Sequence, residues 1–138
     1  CNMDLPVNSV DEILAIHLLE HINPFKVMDA LKHWHSLLKP GGMLCLEMPD
    51  IERLCAAFIT ANKGERYGYL NCIYGSINTS NHPDPTHITS SHLWGWYPEI
   101  LVDHLWNSGF QDIKILPEQH PHPGFNFRTE ARKPEVVV

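Results

Sequence analysis

Two nearly continuous apolar runs, separated by an amphipathic stretch, dominate the first part of the sequence. The first run has a histidine inside it and consists of Ile13, Leu14, Ala15, Ile16, Leu18 and Leu19. The second run extends from Met43 to Met48. Such runs are typical of central parallel strands, because helices cover both faces of a parallel sheet. Between them, apolar residues recur at the spacing of a helix that faces a sheet: Val27, Leu31, Trp34 and Leu38. Residues 11–50 therefore predict a βαβ unit with a right-handed crossover.

Helix start and stop signals agree with this interpretation. Asn23 followed by Pro24 predicts a helix start, since the amide side chain can cap a helix and proline suits its first turn. The Lys-Pro-Gly-Gly stretch at 39–42 predicts the end of that helix. Asp50 is placed to cap a second helix over 51–61.

The second half of the sequence carries further helix and strand signals around one long polar segment. Helices are predicted over 65–74 and 98–108, and alternating apolar residues predict strands near 111–116 and 126–132. The segment 76–96 is rich in Ser, Thr, Asn, Pro and His. Loops of about twenty residues are unusual in compact domains and often form lids or binding loops. With the strands near 12–18 and 43–48, the sequence predicts a four-stranded α/β domain.

Composition narrows the class of protein. The 138 residues suffice for one domain, which we place at 1–138. The formal net charge of −6 and the lack of Lys/Arg clusters argue against a nucleic-acid partner. No stretch reaches the roughly 18 apolar residues of a membrane span. The four cysteines form no CxxC pair, so we expect free buried thiols in a reducing, cytoplasmic compartment.

Two segments carry a resemblance to a known family. LPVNSVDEILAIHLLEHI at 5–22 and LLKPGGMLCLEMPD at 37–50 are similar to the middle of class I S-adenosylmethionine (SAM)-dependent methyltransferases. The family pattern is Leu-Pro, a polar turn, an Asp opening the fourth strand, Leu-Glu-His at its end, and Leu-Lys-Pro-Gly-Gly before the fifth strand. FRTEARKP at 127–134 is similar to the closing strand of the family.

The resemblance implies a partial fold. It covers the C-terminal half of the family's Rossmann-like domain, and the glycine-rich GxGxG turn of the N-terminal half is absent from this sequence. The implied sheet has about four strands in the order first, second, fourth, third. We expect it to be mostly parallel, with the last strand antiparallel to its neighbours and with helices on both faces.

The resemblance also implies residues that bind SAM. In the family, the cofactor lies against the residues just after the fourth strand, which here are His17 and Leu18. The alternative is that Leu18 belongs to the core and that His17 is a hydrogen-bonded buried histidine. Asp4 and Leu5 match, inexactly, an acid and a leucine near the adenine, although Asp4 could equally be a turn residue.

The long polar segment supplies the candidates for catalysis. His87 or His92 is a candidate general base near an acceptor hydroxyl, because imidazole titrates near neutral pH. The alternative is that both cap backbone groups. Together with His82 and Asp84 they have a composition that metals favour, but the segment has no HExxH motif and no paired cysteines, so we expect no metal site.

Two functions remain open from the sequence. The first is transfer of a methyl group from SAM to an oxygen, nitrogen or carbon of a small-molecule acceptor. The second is a non-catalytic, truncated methyltransferase-like module with a binding or structural role. In either case the strand at 12–18 would lack a neighbour, and an open apolar strand edge pairs readily with another chain. We therefore expect a homodimer built on this strand.

Overall fold

The computed structural model describes residues 3–75, 91–120 and 124–135. Within these ranges the chain forms four strands and four α-helices. In chain order they are β1 (Val10–Ile16), α1 (Val27–Leu37), β2 (Leu38–Pro49), α2 (Ile51–Thr60), α3 (Lys63–Tyr74), α4 (Pro98–Asn107), β3 (Gln111–Pro117) and β4 (Asn126–Arg132). Each predicted helix and strand is present, with ends shifted by a few residues. The single domain that the sequence predicts stays a prediction.

The four strands form one sheet in the order β1-β2-β4-β3, as expected. The last strand is antiparallel to both of its neighbours, which confirms that part of the prediction. Only β1 and β2 pair in parallel. The prediction of a mostly parallel sheet is therefore wrong for the strand pairings, because β4 lies between β2 and β3 and runs against both.

The apolar run of β1, an edge strand, is buried on one face only. Ile13 and Ala15 face the core, whereas the side chain between them, Leu14, is 53% exposed. In contrast, β2 has a neighbour on each side, and its residues from Leu44 to Pro49 are all buried. The two runs look alike in sequence, but only β2 has the burial that a central strand requires.

One face of the sheet carries the hydrophobic core. The buried stripe of α1 consists of Val27, Leu31, Trp34 and Leu37, and α4 adds Leu101 and Leu105 to the same cluster. These helices are neighbours, since the rings of His35 on α1 and Phe110 after α4 make an edge-to-face contact with centroids 5.0 Å apart. The prediction of helices on both faces is thus not met by α1 and α4, which share a face.

The opposite face of the sheet is polar. Buried Glu47 lies beside Arg128, with 3.8 Å between Oε2 and Nη1, and Arg128 also donates to Glu130 at 3.1 Å. Cys45 lies on the same face, and burial raises the pKa of its thiol to about 11. The expectation of buried free thiols is confirmed at Cys45, whereas Cys55 on α2 is free but exposed, because it lies on the solvent side of its helix.

Side-chain caps begin the α2 and α3 helices. Asp50 accepts hydrogen bonds from the backbone amides of Glu52 and Arg53 at 3.0 and 3.3 Å, as the sequence predicts. Asn62 is the N-cap of α3 and forms a reciprocal capping box with Glu65. The two helices pack against each other after β2.

The Lys-Pro-Gly-Gly stretch ends α1, but it is not a free turn. It belongs to the first part of β2, whose pairing with β1 is irregular between Val10 and Glu12. Gly41 has a φ of 77°, which glycine adopts without strain. The first turn after Asn23 is a 3₁₀ helix, Pro24–Lys26, and the α-helix begins at Val27. Among the helices described, none is long and apolar enough to cross a membrane.

Candidate functional site

The chain leaves the sheet at the carboxyl end of β1 through a residue with an unusual backbone conformation. His17 has a φ of 49°, in the left-handed region that few non-glycine residues adopt. Its amide nitrogen still donates to the carbonyl oxygen of Glu47 on β2, at 2.8 Å. The hydrogen bond and the positive φ together turn the chain sharply at the edge where α/β sheets bind ligands.

A buried carboxylate lies next to this turn. The 3₁₀ helix Leu19–His21 follows the strand, and its central residue Glu20 has a side chain that is only 2% exposed. Nδ1 of His17 lies 3.1 Å from Oε1 of Glu20. The second oxygen, Oε2, is buried and has no hydrogen-bond partner among the described residues. The structure thus pairs Glu20 with His17.

Asn126 completes this arrangement from the other end of the chain. Its Nδ2 lies 3.3 Å from Nε2 of His17, although 109 positions separate the two residues. Asn126 is the first residue of β4 and pairs with Pro49, the last residue of β2. The sequence analysis missed it. The available signal was its position at the start of β4, because an antiparallel strand begins at the edge of the sheet where the neighbouring strand ends.

The segment after the long polar stretch returns to the same edge. The amides of Leu93 and Trp94 both donate to the backbone carbonyl of Glu20, at 2.7 and 3.3 Å. The amide of His92 donates to the carbonyl of Tyr74 at 2.9 Å. These bonds bring His92 beside His21, with their rings edge to face and their centroids 4.9 Å apart.

The two histidines present their free nitrogens in the same way. Nδ1 of His21 lies 2.9 Å from the carbonyl oxygen of Ser91, and Nδ1 of His92 lies 3.2 Å from that of Ile73. A carbonyl oxygen can only accept, so Nδ1 carries the proton in both rings and Nε2 has a free lone pair when the ring is neutral. One ligand atom from each of Glu20, His21 and His92 lies within 4.8 Å of the others.

The surroundings shift the proton affinity of these histidines in opposite directions. The hydrogen bond to Glu20, together with the charges of Glu20 and Glu47, raises the pKa of His17 despite its partial burial. Burial lowers the pKa of His92, and the nearby His21 and His17 act in the same direction against the charge of Glu20. His17 is thus the more basic of the two rings.

Glu47 connects the polar face of the sheet with the carboxyl edge of β1 and β2. Its carboxylate accepts hydrogen bonds from the amides of Gln119 and His120, at 3.1 and 2.7 Å. This holds the chain after β3 over the end of β2, close to where Asn126 begins β4. The sequence analysis counted Glu47 within an apolar run, and only its position between Leu46 and Met48 hinted at a special role.

The remaining predicted residues lie in different places. Leu18 is partly buried and packs against the core, close to the His17 turn. Asp4 and Leu5 are exposed, and the neighbouring Met3 carbonyl lies 3.1 Å from Nε2 of His33 on α1. The structure shows no hydrogen bond from the Asp4 carboxylate to a described residue. His87, with His82 and Asp84, lies outside the described residues.

A cleft of about 450 Å³ lies elsewhere on the molecule. Its walls include Gly41, Gln111 and Arg132, which belong to the strand ends opposite His17. None of the residues that the sequence analysis singled out for cofactor binding or catalysis lines it. The position of the chemically active side chains, rather than the size of this cleft, therefore places the candidate site at the carboxyl edge.

Comparison with known proteins shows what the chain is similar to. The pattern of a family described as "Methyltransferase domain" matches residues 1–46. A SAM-dependent methyltransferase from Archaeoglobus fulgidus superposes with a TM-score of 0.58 at 18% identity over 94% of this chain. One from Thermotoga maritima, described as a possible histamine N-methyltransferase, superposes with a TM-score of 0.60 at 19% identity over 96%. Residues 1–46 thus match a methyltransferase family, and the fold of the chain is that of part of a SAM-dependent methyltransferase domain.

The chain covers only part of the length of these similar proteins. It spans 62% and 60% of the two solved chains. Among curated proteins it is 38% identical over 60 residues to the tRNA N(3)-cytidine methyltransferase METTL2 of Xenopus tropicalis, which is 44% of this chain and 17% of that protein. The family resemblance seen in the sequence is therefore confirmed, and the reaction of the whole protein is a separate question.

Proposed function

We propose that this domain takes part in the transfer of a methyl group from SAM to a small-molecule acceptor. The observation that carries the proposal is the meeting of His17, Glu20 and His92 at the carboxyl edge of β1. Open α/β sheets bind their ligands beyond this edge. The similarity to solved structures described as SAM-dependent methyltransferases indicates the cofactor class.

The residues of this chain would form one wall of the cofactor site. The fit rests on the turn at His17, where the backbone leaves the sheet, and on the apolar side chain of Leu18, which is only partly covered by the core. Glu20 and Asn126 hold the imidazole of His17 from both sides and so fix its orientation. SAM supplies an activated methyl group when bound, so the domain contributes mainly by positioning.

The acceptor side would lie toward His92. Its backbone amide and its Nδ1 are both engaged with α3, so the ring is held with Nε2 free. A lone pair in a fixed position suits removal of a proton from an acceptor hydroxyl or amine. His87, the other residue with this predicted role, stays a prediction, as do Asp4 and Leu5 for cofactor binding.

Charge favours a small molecule over a nucleic acid as the acceptor. The relative from Xenopus tropicalis is named as a tRNA methyltransferase, but the formal net charge of this chain is −6, which opposes a phosphate backbone. The second candidate function is a non-catalytic module of the same fold. It is favoured by the exposure of Asp4 and Leu5, the two residues for which the resemblance implies a place near the adenine.

Calorimetric titration with S-adenosylhomocysteine separates the two functions. We expect saturable binding to the unmodified protein and at least about tenfold weaker binding to the His17→Asn variant, because Asn tolerates a positive φ but lacks the imidazole. Lys32→Ala, on the exposed side of α1, is the matched control and should bind normally. Absence of binding by the unmodified protein would contradict the cofactor role and support the non-catalytic module.

Methyl-labelled SAM then identifies the acceptor class. The protein is incubated with labelled cofactor in two separate reactions. One contains the small-molecule fraction of a cell extract, and the other contains total tRNA. We expect label in the small-molecule fraction. Label that enters only the tRNA would overturn the proposed acceptor class while leaving the cofactor role intact.

A further inference from the structure

The edge of the sheet brings together three side chains of the kind that bind transition metals. Glu20 and His21 follow β1, whereas His92 lies 71 positions beyond His21 and reaches the same point through the bonds of Leu93 and Trp94 to Glu20. The three ligand atoms lie within 4.8 Å of one another. Two imidazoles and one carboxylate form a common donor set for first-row divalent cations.

The hydrogen bonds of both imidazoles match those of metal-binding histidines. Such a histidine usually donates its second ring N–H to a backbone carbonyl or a carboxylate, which fixes the tautomer and the ring orientation. Here the carbonyl oxygens of Ser91 and Ile73 accept from Nδ1 of His21 and His92, respectively. In both rings Nε2 is therefore the nitrogen available to a cation, and neither ring needs to change its tautomer to bind one.

The carboxylate provides an independent indication of a ligand. The side chain of Glu20 is 2% exposed, and its Oε1 is held by Nδ1 of His17. Its Oε2 is buried with no hydrogen-bond partner among the residues described. Leaving a carboxylate oxygen unpaired in a buried position is costly, and a bound cation would remove that cost.

We propose that Glu20, His21 and His92 bind a divalent transition metal ion, with Zn²⁺ as the best match. Three protein ligands leave a fourth position open, as in zinc sites that bind water or a substrate oxygen. In a tetrahedral site with bonds of about 2.0–2.1 Å, ligand atoms lie about 3.3 Å apart. The ligand atoms are now at most 4.8 Å apart, and shifts of about 1 Å in the side chains bring them to that distance.

This site does not rest on the proposed methyl transfer, because binding of the cation can be measured without SAM or acceptor. It does bear on the role of His92. A cation would occupy the Nε2 lone pair that a general base needs, so in the metal-bound protein the cation, and not His92, would increase the acidity of an acceptor oxygen. The same edge of the sheet would then hold the acceptor by coordination.

Metal binding is tested with chelator-treated full-length protein. Calorimetric titration with ZnCl₂ should show one tight site per chain, and titration with CoCl₂ should produce visible absorption bands of a four-coordinate cobalt centre. Glu20→Gln, His21→Gln and His92→Gln should each weaken the binding of both ions at least about 100-fold. His17→Asn should weaken it by about 10–100-fold, because His17 orients the carboxylate of Glu20.

Matched controls separate this site from adventitious binding by other histidines. His33→Gln and His104→Gln, on α1 and α4, should leave the affinity unchanged. A raised thermal midpoint on adding ZnCl₂, seen in the unmodified protein and lost in Glu20→Gln, gives a second measurement that also shows whether the variant folds. Unchanged affinity in Glu20→Gln or His92→Gln, or no tight site in the unmodified protein, would overturn the proposal.

Discussion

The ammonium group of Lys133 lies 2.9 Å from the carbonyl oxygen of His35, near the C-terminal end of α1. The same nitrogen donates to the carbonyl of Leu38 at 2.9 Å and to Oδ1 of Asn8 at 2.7 Å. The side chain of Lys133, just after β4, thus connects the segment before β1, the end of α1 and the start of β2. The carbonyls at a helix C-terminus have no intrahelical partner, so this contact satisfies groups that would otherwise require water.

Replacing Lys133 should therefore destabilise the fold. We expect Lys133→Met to lower the free energy of unfolding by about 2 kcal/mol, since hydrogen bonds to a charged donor are lost while the stem of the side chain remains. Urea denaturation followed by circular dichroism measures this. Lys32→Met, at an exposed position of α1, is the control and should change stability by less than about 0.5 kcal/mol. Equal stability of the two variants would contradict this role of Lys133.

A second prediction concerns the N-cap of α2. Asp50 is 5% exposed, and its side chain accepts from two amides in the first turn. We expect Asp50→Ala to cost about 1–2 kcal/mol of unfolding free energy and Asp50→Asn to cost clearly less, because Asn also caps helices. Denaturant unfolding of both variants is the measurement. A similar loss in the two variants would show that the negative charge, and not the cap, matters.

His35 makes stability depend on pH. Burial and the nearby charge of Lys133 lower the pKa of His35 below its ordinary value of 6.5. The unfolded chain therefore binds a proton at this position more readily, and the contribution of His35 to stability is present above about pH 6.5 and is lost as the pH falls through the lowered pKa. We expect the decrease in unfolding free energy between pH 7.5 and 5.5 to be smaller in His35→Gln than in the unmodified protein.

His33, on the same helix, is the control for this measurement. His33→Gln should retain the full decrease, since it removes an imidazole from α1 but leaves in place His35, which packs against Phe110. A decrease that is the same in His35→Gln as in the unmodified protein would contradict the assignment to His35.

The oligomeric state is a further prediction. We propose a homodimer through β1, because this strand ends the sheet and its Leu14 is 53% exposed. Ile13 on the same strand is only 9% exposed and belongs to the core. Leu14→Lys should convert a dimer into a monomer in light scattering, whereas Ile59→Lys, at an exposed position of α2, should not. A single-chain mass for the unmodified protein would contradict the proposal.

Much of the fold follows from the sequence by itself. The spacing of Leu31 and Trp34, the cap at Asp50 and the positions of the strands are local signals, because periodicity and capping act within one or two turns of a helix or along one strand. The family motifs around Leu-Glu-His and Lys-Pro-Gly-Gly likewise depend only on residues close together in the chain. These signals determined the elements, the strand order implied by the family and the edge at which the site lies.

Only the tertiary structure decided which residues meet at that edge. The pairing of Glu20 with His17, the contact of His17 with Asn126 and the grouping of His21 with His92 depend on how β4 and the segment after α3 return to the end of β1. Local patterns contain no information about such returns, because contacts across 71 or 109 positions arise from packing of the whole chain. For the same reason the similar apolar runs of β1 and β2 could not reveal that one strand forms an edge and the other is central.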